Sequence, residues 1–183
     1  MNLTVNDENL EINEIDESNS KVRAILIDKD NRVLIANYGG VILFPGGSID
    51  NGENTNQAII RELCEETGAI YEEADLTFLT QLDFYQRNYV KRNGVKKNRL
   101  VKTSYFYGTY KSVELESQCL TEKEEKDGFK LQLVPLSELE KFVLENRNDN
   151  PRNIYFQREM VEIIKLYMNL FGLKKNCLKI RRN

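Results

Sequence analysis

Glu62, Glu65 and Glu66 lie close together in the stretch Arg61-Glu62-Leu63-Cys64-Glu65-Glu66-Thr67-Gly68. On a helix with 3.6 residues per turn, positions i, i+3 and i+4 project from one face. Like charges there repel by about 0.2–0.5 kcal/mol per pair, so stability alone gives no reason for the arrangement. A divalent cation reverses the sign of the interaction, and hard oxygen donors suit Mg²⁺ or Mn²⁺. Most acidic helix faces are simply solvated, but two neighbours set this one apart. Gly46, Gly47 and Gly52 precede the helix and let backbone approach a ligand closely. Arg61 stands beside the carboxylates and can hold one in place. On the same helix, Ala58 lies near the acidic face. Ile59, Ile60, Leu63 and Cys64 are expected to point to the core, with Cys64 a packed, inert thiol.

Composition narrows the chemistry further. The 183-residue chain contains no histidine, so Ser–His and Cys–His catalysis and His metal ligation are excluded. Any general base is a carboxylate, Lys, Tyr or Cys. Cys64, Cys119 and Cys177 form no zinc pattern and fit free thiols in a reducing compartment. A net charge of −3 shows no overall bias toward nucleic acid. The first twenty residues hold Asp7, Glu8, Glu11, Glu14, Asp16 and Glu17 with no Lys or Arg, unlike a secretory signal. No apolar run reaches membrane-spanning length. A cytoplasmic protein with no membrane partner is expected.

The elements that must position the carboxylates can be read along the chain. Residues 22–27 read as a buried strand, 32–37 as its return strand after the turn Asp28-Lys29-Asp30-Asn31, and 41–44 as a third short run stopped by Pro45-Gly46-Gly47. The acidic helix follows, capped by Asn54 or Thr55, with Asn54 and Gln57 at capping-box spacing and Gly68 as its stop. Strands are predicted over 76–85 and 101–110, with Asn93-Gly94 as a hairpin turn between them. An acidic loop over 122–127, a strand over 129–134, a short helix over 135–144, a polar break containing Pro151 and a helix over 154–171 complete the pattern. Residues 1–20 are an acidic arm or an added edge strand, residues 21–173 one domain, and residues 174–183 a basic tail. Mixed strands and helices in this order predict an α/β fold with a mixed sheet between helices.

Residues 47–69 resemble the signature of the Nudix hydrolases: Gly47, Glu53, Arg61, Glu62, Glu65, Glu66 and Gly68 all stand at its fixed positions. Phe44-Pro45-Gly46 resembles the usual lead-in. Ala69 departs from the bulkier aliphatic usual there, and Ile70 is expected to take over its packing. The resemblance implies an α/β/α sandwich that cleaves a pyrophosphate bond in a nucleoside diphosphate derivative: a nucleoside triphosphate, a dinucleoside polyphosphate or a nucleotide sugar. It implies Mg²⁺ or Mn²⁺ held by Glu62, Glu65, Glu66 and the Gly46 carbonyl. Glu65 and Glu66 would be catalytic, Arg61 would orient the glutamates, and Glu53 would support the junction of loop and helix. Glu122, Glu124 and Glu125 are alternative general bases. Two other outcomes stay open, an RNA 5′-pyrophosphohydrolase and a ligand-sensing module without catalysis.

Substrate marks are fewer. Tyr85 is a candidate stacking contact for a base, and Arg23 is a second candidate substrate contact. Arg87, Lys91, Arg92, Lys96, Lys97, Arg99 and Lys102 gather around the Asn93-Gly94 turn. They form either a solvated hairpin or an arm that attracts polyphosphate. The expected partner is a nucleotide, with RNA and a second copy of the chain as alternatives.

Overall fold

The computed structural model describes residues 2–91, 93–146 and 153–172. Its strands are β1 (Asn2–Val5), β2 (Glu17–Ile27), β3 (Arg32–Tyr38), β4 (Val41–Leu43), β5 (Leu76–Val90), β6 (Lys96–Thr109) and β7 (Lys130–Pro135). Its helices are α1 (Thr55–Thr67), α2 (Glu122–Lys126), α3 (Leu139–Glu145) and α4 (Asn153–Leu170). Arg92, Pro151 and the basic residues 174–183, with Cys177, lie outside the described residues. Among the described residues no helix is long and apolar enough to cross a membrane.

Strand β2 shows how the layers arise. Successive strand residues point to opposite faces, and here both faces are apolar. Val22, Ala24 and Leu26 pack with Ala58, Ile59 and Leu63 of α1. Ile25 joins the opposite core, with Leu139 and Val143 of α3 and Met160, Ile163 and Ile164 of α4. The result is an α/β/α sandwich. Its mixed sheet runs β1-β5-β6-β2-β3-β4, and β7 also pairs with β3. Pairing is parallel for β1 with β5 and for β2 with β6, and antiparallel for the β5–β6 hairpin.

Several local expectations need correction. The acidic N-terminal stretch supplies both the edge strand β1 and the start of β2, whereas Ile12 lies in a 3-10 turn and is 70% exposed. The hairpin strands run further toward the turn than their apolar residues suggest. Arg99 stacks 3.4 Å from the Tyr89 ring centroid and donates to Gln86 at 2.6 Å, so polar residues extend the ladder. The stretch expected as an acidic loop contains the short helix α2, and Glu124 accepts the Thr121 N–H at 2.8 Å.

Helix α1 begins and ends as its sequence predicts. Asn54 and Gln57 form a reciprocal capping box, and Gly68 closes the helix at φ 70°. Its faces differ from the expectation, however. Ala58, Ile59, Glu62, Leu63 and Glu66 share one buried arc, while Cys64 is exposed. At 100° per residue, Cys64 falls well outside that arc. Ala69 is itself buried and Ile70 is 75% exposed, so no substitute packing is needed.

Candidate active site

The segment after β4 lies against β2 by backbone pairing. Val22 N–H donates to Gly47 O at 3.0 Å and Ala24 N–H to Pro45 O at 2.9 Å. Gly46, between them, has φ 131°, and a Cβ there would sit 2.2 Å from Val22 O. Only glycine tolerates this approach. Gly46 N–H donates to Glu66 Oε2 at 2.9 Å, and the Tyr38 hydroxyl donates to Glu66 Oε1. The Gly46 carbonyl lies 3.3 Å from the Tyr38 hydroxyl and 3.4 Å from Arg23 Nη1. A Cβ on Gly47 would fall 2.3 Å from the Glu62 carboxylate, so that glycine leaves the space the carboxylate fills.

Arg61 organises the other side. Its Nε and Nη2 form a fork on Glu53 at 2.7 and 2.9 Å, and Nη2 also donates to Ser48 O at 2.9 Å. Its Nη1 lies 3.0 Å from both Glu62 Oε1 and Glu65 Oε2. The two carboxylates therefore converge on one point. The fork holds the Glu53 carboxyl down at about 2. Burial works the other way on Glu62, whose pKa is raised, and on Glu66, which is pushed up to about 8.

Tyr38, Gly46, Gly47, Arg61, Glu62 and Glu65 border a cleft of about 560 Å³, with Glu66 and Glu53 behind its lining. Glu62, Glu65, Asp50, Glu124 and Asp127 give it acidic lining, and Lys21 and Arg23 of β2 supply cations. Lys21 is lowered to about 8, first by burial and then by the neighbouring Arg23. Among the described residues no three acidic or cysteine side chains are already gathered as a metal cage. Glu62 and Glu65 meet at Arg61 Nη1, while Glu66 is turned to Gly46 and Tyr38. Mg²⁺ commonly uses one or two carboxylates and leaves its other positions to water and phosphate. The hard donor set fits such a cation, with Arg61 yielding its place.

A model of the NUDIX domain matches residues 18–157. The chain belongs to the Nudix family. One stretch of 50 residues is 38% identical to an ADP-ribose pyrophosphatase of Methanocaldococcus jannaschii, covering 25% of this chain and 30% of that protein. Another of 70 residues is 36% identical to an 8-oxo-dGTP diphosphatase of Proteus vulgaris, covering 35% of this chain and 62% of that one. The chain thus covers less than two thirds of either relative. The MutT protein of Methanosarcina mazei Go1 shares the fold, with TM-score 0.52 at 17% identity over 81% of this chain and 93% of that one.

Within this Nudix domain the structure brings Arg23, Gly46, Glu53, Arg61, Glu62, Glu65 and Glu66 together. Of the three alternative bases only Glu124 lines the cleft; Glu122 and Glu125 are exposed. Tyr85 does not reach the cleft. It borders a separate hollow of about 320 Å³ with Asp7, Glu8, Phe84, Tyr155 and Arg158. Sequence reasoning missed Lys21, Tyr38, Thr121, Asp127 and Phe156, all on the cleft wall. Tyr38 carried one signal, its place directly before Gly39-Gly40, and Asp127 another, its place at the end of the acidic stretch 122–127; Lys21, Thr121 and Phe156 carried none.

Proposed function

We propose that the chain hydrolyses a pyrophosphate bond in a nucleoside diphosphate derivative, with Mg²⁺ or Mn²⁺ as cofactor. The observation that carries this reading is that Arg61 Nη1 holds Glu62 and Glu65 side by side, 3.0 Å from each, at a cleft that also presents Lys21 and Arg23. Glu62, Glu65, Glu66 and the Gly46 carbonyl would hold the cation. When bound, the cation neutralises the diphosphate and acidifies a water molecule. Arg61, anchored on Glu53 and Ser48, keeps Glu62 and Glu65 aligned before the site is loaded. Lys21 attracts the phosphates from the other wall. Glu124, the one of the three candidate bases that lines the cleft, would take a proton from the attacking water. The free thiols Cys64 and Cys119 support a reducing, cytoplasmic setting.

The names of the two relatives point to different leaving groups, so the test is a panel. ADP-ribose, 8-oxo-dGTP, the common nucleoside triphosphates, dinucleoside polyphosphates and 5′-triphosphate RNA are each incubated with and without Mg²⁺ or Mn²⁺, and the products are identified. Cation-dependent release of a nucleoside monophosphate is expected from at least one nucleotide. Tight nucleotide binding without turnover under every condition would replace the reading with a sensing module.

A further inference from the structure

Glu159 of α4 is 3% exposed in a helix whose neighbouring buried residues Met160, Ile163 and Ile164 are apolar. One of its oxygens, Oε1, accepts the Tyr105 hydroxyl and the Thr103 hydroxyl, the latter at 3.3 Å. The same oxygen lies 3.8 Å from Arg23 Nε. Arg23 is 4% exposed, and its Nε is buried without a hydrogen-bond partner among the described residues. A buried pair of this kind loses much of its attraction to desolvation, and well-packed apolar residues often serve stability as well or better. Stability therefore does not explain the pair.

The other end of the guanidinium does offer an explanation. Arg23 Nη1 donates to Phe44 O at 2.7 Å and lies 3.4 Å from Gly46 O. The flanking carbonyls of Pro45 and Gly47 are taken up by β2 backbone. Gly46 O is left to side chains, and among the described residues these are Tyr38 and Arg23. Gly46 has no side chain with which to fix itself, and its N–H is engaged with Glu66.

We infer that Arg23 and Glu159 are positioning residues for the cation site: Glu159 holds the guanidinium, and the guanidinium sets the Phe44–Gly46 backbone so that the Gly46 carbonyl faces the same space as Glu66. This gives Arg23 work at the cleft wall other than touching substrate, and rests on the metal-site reading above. Polar groups that orient metal ligands change affinity about 10–100-fold when removed.

The probe is Mn²⁺ alone, followed by the paramagnetic signal of the free ion, with thermal unfolding measured in parallel. Glu159→Gln is expected to raise the Mn²⁺ dissociation constant about 10-fold. The paired change Arg23→Met with Glu159→Leu removes the buried charges together; the Tyr105 and Thr103 hydroxyls lose their acceptor, so the melting temperature should fall, but the variant should remain folded at the temperature of the titration. It should nevertheless bind Mn²⁺ about 10-fold more weakly, which a merely structural bridge would not predict. Wild-type Mn²⁺ affinity in the folded double variant overturns the inference and leaves the metal site standing. Absence of Mn²⁺ binding in the wild type overturns the metal-site reading and this inference with it.

Discussion

At Glu66, burial and charge oppose each other. The folded protein holds this carboxyl at about 8 against 4.5 in the unfolded chain, because burial outweighs the hydrogen bonds from Tyr38 and Gly46. Between those values the native state binds the extra proton, so metal-free stability falls as pH rises through the window. The effect is on the order of a few kcal/mol. Melting temperatures of metal-free protein should therefore fall as pH rises from about 4.5 to about 8, and Glu66→Gln should flatten that slope. Glu53 works in the opposite sense: its stabilisation is present above about 4.5 and is lost as pH falls toward 2. For turnover, Glu65→Gln and Glu66→Gln should each cost at least about 100-fold while circular dichroism stays native. Near-wild-type rates in both at saturating Mg²⁺ would remove these residues from the site. Two adjacent glycines separate fold from chemistry. Alanine at Gly46 meets the Val22 backbone at 2.2 Å and should destabilise by about 3 kcal/mol or more. At Gly47 the atoms nearest an alanine Cβ are all at the end of the Glu62 side chain, at 2.3 Å. Alanine there should spare the melting temperature and depress activity by displacing that carboxylate.

Helix α1 carries a prediction of its own. Because Cys64 lies off the buried arc, it and Cys119 should both react with thiol reagents in the native protein, as peptide mass spectrometry would show. Cys64→Ala should shift stability by no more than about 0.5 kcal/mol. Protection of Cys64 until unfolding would restore the inward orientation expected from sequence. Signals confined to one element were legible in the sequence. The Asn54–Gln57 box, the Gly68 stop and the glutamate spacing each involve residues close along the chain. The helix faces were harder, because Glu62 and Glu66 share a buried arc with Ile59 and Leu63. The loop at Gly46 and Gly47, coming from elsewhere in the chain, creates a polar place for them there. Lys21, Phe156 and Glu159 reach the cleft or its support from β2 and α4. Their nearness depends on sheet order, which spacing along the chain does not encode.

Over the whole molecule, acidic and basic segments answer each other. Arg87 pairs with Glu14 at 3.2 Å, Lys91 with Glu17 at 2.8 Å, Lys97 with Asp16 at 3.9 Å and Arg158 with Asp7 at 3.2 Å. Three of the hairpin's cations, Arg87, Lys91 and Lys97, are therefore already compensated within the chain. Changing Lys91 and Lys97 to Gln should cost under about 1 kcal/mol per pair, less at high salt. It should leave the Michaelis constants of highly and weakly charged substrates in the same ratio. A rise confined to the highly charged ones would restore the steering role. The parallel pairing of β2 with β6 has a consequence for synthesis. Residues 22–27 leave the ribosome well before β6, and translation adds about 5–20 residues per second. For several seconds after β3 and α1 have been made, this strand still lacks its partner on the β6 edge and the cover of α3 and α4 on one face, a state that favours chaperone capture or aggregation. Arg23 waits longer still, because Glu159 is made after β6. The nascent chain therefore completes the support of its cleft only once α4 has emerged.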